Sequence, residues 1–216
     1  MSEEKQTIDE IFNSEIERWF SDSGDVYRRL NYPEMDNNSL VMDLGGYIGN
    51  FTEAIYSRYN CKVMVFEPVN RYYNICNYKF ENNDKIEVYK YGLSGVDQKC
   101  TISVTGDISS TFVNIESDCE KEIITIKSIG DFFEENSIEK VDLIKINIEG
   151  GEYDLLDYLI SNPEILKKIK NIQVQYHIFI DDHEKRRSLI NSELEKTHER
   201  TWNYEWVWEN WKIKNS

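Results

Sequence analysis

The feature that most constrains this chain is the stretch Leu40-Val41-Met42-Asp43-Leu44-Gly45-Gly46-Tyr47-Ile48-Gly49-Asn50. A short apolar run ends in an acid, passes into a glycine-rich turn and enters a segment with helical spacing. A buried parallel strand hands over to a crossover helix in this way, through a turn whose backbone must come close to a ligand. Gly45, Gly46 and Gly49 carry no Cβ, so the backbone there can take positive φ and approach a bound molecule. Glycines also simply end strands, so the turn needs a partner signal.

That signal comes one strand later. Lys62–Phe66 reads as a second buried strand and ends in Glu67-Pro68. An acid at this tip is placed to accept hydrogen bonds from both hydroxyls of a ribose. Together the two stretches imply an adenosine-type cofactor lying across the carboxyl ends of the strands. A dinucleotide fingerprint requires Gly-x-Gly-x-x-Gly, and aligning its last two glycines on Gly46 and Gly49 leaves Leu44 where the first should be. Asp43 would also sit poorly beside a pyrophosphate. It suits a cationic ligand, such as the amino group and sulfonium side of S-adenosylmethionine, which is therefore preferred over a nicotinamide cofactor. The candidate cofactor residues are Asp43, Gly45, Gly46, Tyr47, Gly49, Asn50, Glu67 and Pro68, joined by Gly92, Leu93 and Ser94 where an adenine ring would lie.

Taken in order, the chain predicts one α/β domain over residues 1–216, a Rossmann-like, mostly parallel doubly wound sheet with helices on both faces. Thr7-x-x-Glu10 is a capping-box pattern, and Ile8, Ile11, Phe12, Ile16, Trp19 and Phe20 share one helical face. With a short helix at 25–30 they make an amino-terminal helical cap within residues 1–38, a packed element or a lid. Strand 40–44, helix 50–59, strand 62–67, helix 69–81 and strand 85–91 form the βαβαβ half-fold, with Gly92-Leu93-Ser94 ending its third strand. Residues 96–127 lose helical periodicity and read as a small β insertion, with pieces at Thr101–Thr105, Thr111–Ile115 and Glu122–Lys127. Helix 128–135, strand 141–146, helix 152–160, strand 171–179 and helix 183–197 follow, and Trp202–Trp211 alternates like one closing strand.

A formal charge of −15 argues against nucleic-acid and anionic-membrane surfaces, because phosphate backbones are bound by clustered Lys and Arg. Cys61, Cys76, Cys100 and Cys119 are widely spaced and read as small buried thiols of a reducing compartment. Met-Ser-Glu-Glu-Lys at the start lacks the regions of a signal peptide, and no apolar run is long enough to span a membrane. The expectation is a soluble, cytoplasmic protein.

The order Asp-x-Gly-x-x-x-Gly (43–49), Phe66-Glu67-Pro68 and Lys145-Ile146-Asn147-Ile148-Glu149-Gly150-Gly151-Glu152 resembles the FkbM-type methyltransferases over roughly residues 40–180. Many members have Asp where this chain has Asn147, and Ala where it has Gly151. The Gln175-Tyr176-His177 and Trp208-Glu209-Asn210-Trp211 phrases look like a branch found in surface-polysaccharide gene clusters. The resemblance implies S-adenosylmethionine-dependent O-methylation of a sugar, nucleotide-sugar or similar small polar acceptor.

Methyl transfer to a hydroxyl needs the acceptor oxygen held in line and a base in reach of its proton. The side chains at strand tips that could serve are His177, Glu149, Glu152 and Asn147. His183 and His198 fall on expected helix or loop surface, so His177 is the favoured base, assisted by Glu149; Glu152 fits better as a helix-start carboxylate. Asn147 cannot act as a base but can hydrogen-bond the acceptor or cofactor, and its replacement of an acid leaves no metal expected. The aromatic tail (Trp202, Tyr204, Trp206, Trp208, Trp211) reads as packing, with a sugar platform as the alternative. Two rivals remain: a nicotinamide-dependent oxidoreductase, opposed by the missing first glycine and the lack of a Tyr-x-x-x-Lys pair, and a non-catalytic scaffold, opposed by the intact turn and Glu67.

Overall fold

A computed structural model describes residues 7–105, 108–110 and 120–214 of the chain. The amphipathic segment after Thr7 is helix α1 (Ile8–Ser21), opened by a true capping box. Thr7 N donates to Glu10 Oε2 at 2.8 Å, and Glu10 N donates to Thr7 Oγ1 at 3.3 Å. One turn, α2 (Gly24–Tyr27), follows where a helix over 25–30 was expected. The βαβαβ unit is β1 (Leu40–Leu44), α3 (Asn50–Tyr59), β2 (Lys62–Phe66), α4 (Asn70–Phe80) and β3 (Ile86–Tyr89).

The insertion is larger than a hairpin: β4 (Gly92–Ser94), β5 (Gln98–Thr105), β6 (Ile108–Ser110) and β7 (Glu120–Ser128) form their own sheet, ordered β4-β7-β5-β6. Gly92-Leu93-Ser94 therefore does not end β3; it leaves the main sheet and pairs parallel with β7. The strand piece expected at Thr111–Ile115 lies outside the described residues. Next come α5 (Ile129–Glu135), β8 (Leu143–Ile146), α6 (Glu152–Ser161), α7 (Pro163–Leu166), β9 (Asn171–Val174), α8 (His183–Leu194), β10 (His198–Tyr204) and β11 (Trp208–Ile213).

The main sheet runs β10-β11-β9-β8-β1-β2-β3, parallel from β9 to β3, with β11 antiparallel between β9 and β10. Side chains alternate across it. Met42, Leu44, Ile144, Ile146, Ile172 and Val174 face the layer of α5, α6 and α8, whereas Val41, Val63, Val65 and Leu143 face α3 and α4. Both faces of the central strands are thus buried, which is why those strands read as continuous apolar runs.

The second face also carries polar residues. Asp43, Lys145, Gln173 and Asn210 stand in one register row across β1, β8, β9 and β11, all buried. Buried polar groups need partners, and the segment after α2 supplies those of Gln173 and Asn210. Gln173 Nε2 donates to Tyr32 Oη (2.7 Å) and to Arg29 O (3.1 Å), and Tyr32 Oη donates to Asn210 Oδ1 (3.0 Å). The row therefore fastens the amino-terminal segment to the sheet, while Trp19 of α1 packs with Tyr204, Val207 and Trp208 of the carboxyl-terminal hairpin. The helical cap is a packed element.

Two expectations for the carboxyl-terminal region are corrected. Trp202–Trp211 is not one strand: it takes in the end of β10, the turn at residues 205–207 and the start of β11, the second arm of the hairpin, which inserts beside β9. His198 is not on the surface: it starts β10 fully buried, with Nε2 3.0 Å from Ile169 O. Trp206, Trp208 and Trp211 are likewise packed, and none of the five tail aromatics lines the cavity described below.

Candidate active site

A cavity of about 380 Å³ opens at the carboxyl ends of β1, β2 and β8, within the size range of ligand sites. Its floor is the glycine turn. Gly45 takes φ +83°, and a Cβ there would lie 1.9 Å from Asn147 O, so only glycine lets the two strand tips meet. Tyr47 and Glu149 also adopt left-handed backbone, φ +50° and +53°. Such conformations cost about 1–3 kcal/mol each and gather at functional sites.

Most of the expected cofactor residues come together here: Gly45, Gly46, Tyr47, Asn50, Glu67, Pro68, Gly92, Leu93 and Ser94 all line the cavity. Glu67 is buried at the tip of β2, with Oε2 accepting from Tyr47 N (2.8 Å) and Oε1 from Val69 N (2.9 Å). Burial pushes its pKa up to about 7, against the two backbone hydrogen bonds.

Asp43 and Gly49 are placed otherwise. Asp43 is wholly buried beneath the turn; Thr52 Oγ1 donates to its Oδ2 at 2.7 Å, and Lys145 Nζ lies 2.9 Å from its Oδ1. Its charge is met from within the protein, so it stiffens the turn and does not border the cavity. Gly49 does not line the cavity either; a Cβ there would press into the Phe80 ring at 2.7 Å, so its constraint is the packing of α4.

The expected catalytic residues form a chain reaching back from the cavity. Asn147 and Glu149 line it. His177 does not, because β9 ends at Val174 and residues 175–179 leave the sheet. Buried Glu152, at the start of α6, captures both His177 N and His177 Nδ1 through Oε1 at 2.8 Å, while Tyr153 Oη donates to His177 O. His177 Nε2 then lies 3.5 Å from Glu149 Oε2. A carboxylate only accepts, so Nδ1 carries a hydrogen and Nε2 faces Glu149. Burial lowers the His177 pKa, but the hydrogen bond and charge of Glu152, with Glu149, outweigh it and leave it raised. Glu149 is raised as well, chiefly by burial.

Several lining residues escaped the sequence reading. Lys145 was hidden in an apolar strand; its signal was a lone cation in β8, and only the β8 register sets it opposite Asp43. Arg29 arrives from the amino-terminal segment, and Ile102, Ile124 and Ile126 of the insertion form an apolar wall. Among the described residues no group of three or more His, Cys, Asp or Glu is arranged to hold a metal, and no helix is long and apolar enough to cross a membrane.

Solved structures resemble the chain in fold. An rRNA methylase from Streptococcus thermophilus has a TM-score of 0.50 at 11% identity, over 91% of this chain and 96% of that one. The METTL16 methyltransferase domain scores 0.48 at 13% identity (98% and 71% covered). TrmK of M. capricolum, solved with S-adenosylhomocysteine, scores 0.46 at 12% identity (84% and 65% covered). No curated protein sequence matches significantly. The family described as the methyltransferase FkbM domain matches residues 43–202.

The residues present fit an S-adenosyl cofactor. Each Glu67 oxygen takes one backbone N–H and retains a lone pair for a ribose hydroxyl. Asn147 holds a buried Oδ1 with no partner among the described residues, an acceptor waiting for a donor. The match spans most of the chain, and the chain belongs to the FkbM methyltransferases, which take their methyl group from S-adenosylmethionine.

Proposed function

We propose that the protein is an O-methyltransferase acting on a hydroxyl of a small polar acceptor, a sugar or nucleotide-sugar of surface-glycan biosynthesis. The observation that carries this reading is Glu149: it lines the cavity beside Asn147 and stands on the His177–Glu152 pair. Bound S-adenosylmethionine supplies an electrophilic methyl carbon. Glu149 would take the proton of the acceptor hydroxyl as its oxygen gains the methyl group and the methyl–sulfur bond breaks, releasing S-adenosylhomocysteine; its raised pKa suits a carboxylate to this task. His177 orients the Glu149 carboxylate through Nε2, held by Glu152 from behind. Glu149 is thus the base and His177 its positioning residue, the reverse of the order favoured on sequence. Asn147 positions the acceptor or the cofactor.

The formal charge of −15 supports a small acceptor over a nucleic acid. The same reading treats residues 1–216 as one catalytic domain working in a reducing cytoplasm, where the thiols of Cys61, Cys76 and Cys100 stay free. The test begins with titration calorimetry of S-adenosylmethionine, S-adenosylhomocysteine and NAD. Methyl transfer is then assayed on panels of sugars, nucleotide-sugars and RNA. Turnover of a sugar hydroxyl that is lost in Glu149→Gln supports the reading; turnover on RNA alone, or binding of NAD alone, overturns it.

A further inference from the structure

Among the described residues, two cationic side chains line the cavity, Lys145 and Arg29, and the first is committed. Lys145 Nζ lies 2.9 Å from Asp43 Oδ1 and donates to Gly45 O (2.8 Å) and Leu44 O (3.3 Å). It is spent on holding the turn. Arg29 is held differently. Its guanidinium lies 4.3 Å from the Trp208 ring centroid and 5.3 Å from that of Phe51, with Nε donating to Gln173 Oε1 at 3.3 Å. These contacts fix the head group without neutralising it. Its carboxylate partner, Asp25, contacts Nη1 at 3.1 Å but is 59% exposed, and such an ion pair is screened and weak. Among the described residues no protein acceptor bonds Nη2.

Sheet order places this cation relative to the cofactor. The glycine turn crowns β1, and Glu67, at the ribose end, crowns β2 on one side of it. Arg29 packs against Gln173 of β9 and Trp208 of β11, on the other side. A ligand whose ribose sits on Glu67 and whose chain crosses the turn brings its far end toward Arg29. In S-adenosylmethionine that end is an amino acid with a single carboxylate. Elsewhere among the described residues the charged groups lining the cavity are the carboxylates of Glu67, Glu149 and Asp154, which repel an anion.

We propose that Arg29 is the specificity residue that receives the α-carboxylate of the cofactor, pairing with it through the free edge of the guanidinium. The inference rests on the cofactor assignment of this site. Its effect is selective recognition of the amino-acid head, so that ligands with the same nucleoside and no carboxylate bind less well.

Titration calorimetry of S-adenosylmethionine and decarboxylated S-adenosylmethionine with the wild type, Arg29→Met and Arg29→Lys tests this. Arg29→Met keeps the packed stem and should weaken S-adenosylmethionine about 10- to 100-fold, the loss of one charge-assisted contact. The same variant should leave the decarboxylated ligand within about twofold, because that ligand has no anion to lose. Arg29→Lys should fall between the two, retaining charge without the fork. Equal losses for both ligands would make Arg29 merely structural and overturn the proposal. Unchanged S-adenosylmethionine affinity in Arg29→Met would also overturn it, leaving an anionic group on the acceptor as the partner of Arg29. A wild type that binds neither ligand would overturn the cofactor assignment itself.

Discussion

Lys145 Nζ lies 2.9 Å from Asp43 Oδ1, the two residues standing directly opposite each other across the β1–β8 pair. The acid that opens the glycine turn is therefore answered by the neighbouring strand, and the lysine that answers it also donates to two carbonyls of the turn. Burial lowers the Lys145 pKa and the Asp43 charge opposes that shift. The pair is an internal brace, which lets the turn hold positive φ without depending on a ligand.

Lys145→Met should cost about 3–5 kcal/mol of stability, because it strands a buried carboxylate. Urea denaturation measures this, and the double variant Lys145→Met/Asp43→Leu should recover much of the loss. Additive losses in the double variant would show that the two side chains do not act as a pair.

Glu149→Gln should lower kcat by about 10²–10⁴ as a base is removed, with S-adenosylhomocysteine affinity unchanged by calorimetry. A variant with wild-type kcat would exclude Glu149 as the base.

His177→Gln should keep turnover but move its pH dependence. The His177 charge lowers the Glu149 pKa, so removing it raises that pKa further and shifts the acid limb of the kcat profile to higher pH. A uniform drop in kcat with an unmoved limb would mean that His177 does not act through Glu149.

Glu67 carries a pKa raised to about 7 by burial. The ionised form is the better acceptor for two ribose hydroxyls, so S-adenosylhomocysteine should bind more tightly as pH rises from about 6 to about 8, through that raised value. In Glu67→Gln the affinity should be weaker and flat over the same range. A wild-type affinity independent of pH would remove Glu67 from the ribose contact.

Asp25 is the exposed carboxylate on Arg29. Asp25→Asn should tighten S-adenosylmethionine by no more than about fivefold, the small effect expected of a surface pair. The gain should be absent for the decarboxylated ligand.

The sequence by itself determined what is local. The apolar runs at 40–44, 62–66 and 141–146 specified buried parallel strands, the last of them two residues longer than β8 proves to be, the Thr7–Glu10 box opened α1, and the glycines at 45, 46 and 49 marked the turn after β1. Glu67 was legible because it ends the strand that follows that turn. Parallel pairing then carries both tips to the same edge, so their meeting at one cavity followed from topology.

Only the tertiary structure decided which charges meet. Asp43 looked available to a ligand until β8 set Lys145 opposite it, and nothing in the local pattern around Asp43 names that lysine. His177 looked like a strand-end base, but Glu152, twenty-five residues earlier, draws it out of β9 and behind Glu149. Arg29 carried no signal at all: the buried polar row on β8, β9 and β11 brings it in, and those strands are separated from it by more than a hundred residues. The hairpin that places β11 between β9 and β10 was equally hidden, because alternation marks strands but not their partners. Periodicity and turn chemistry act over a few residues, whereas ion pairs and strand order are set by contacts made only when distant segments close on one another.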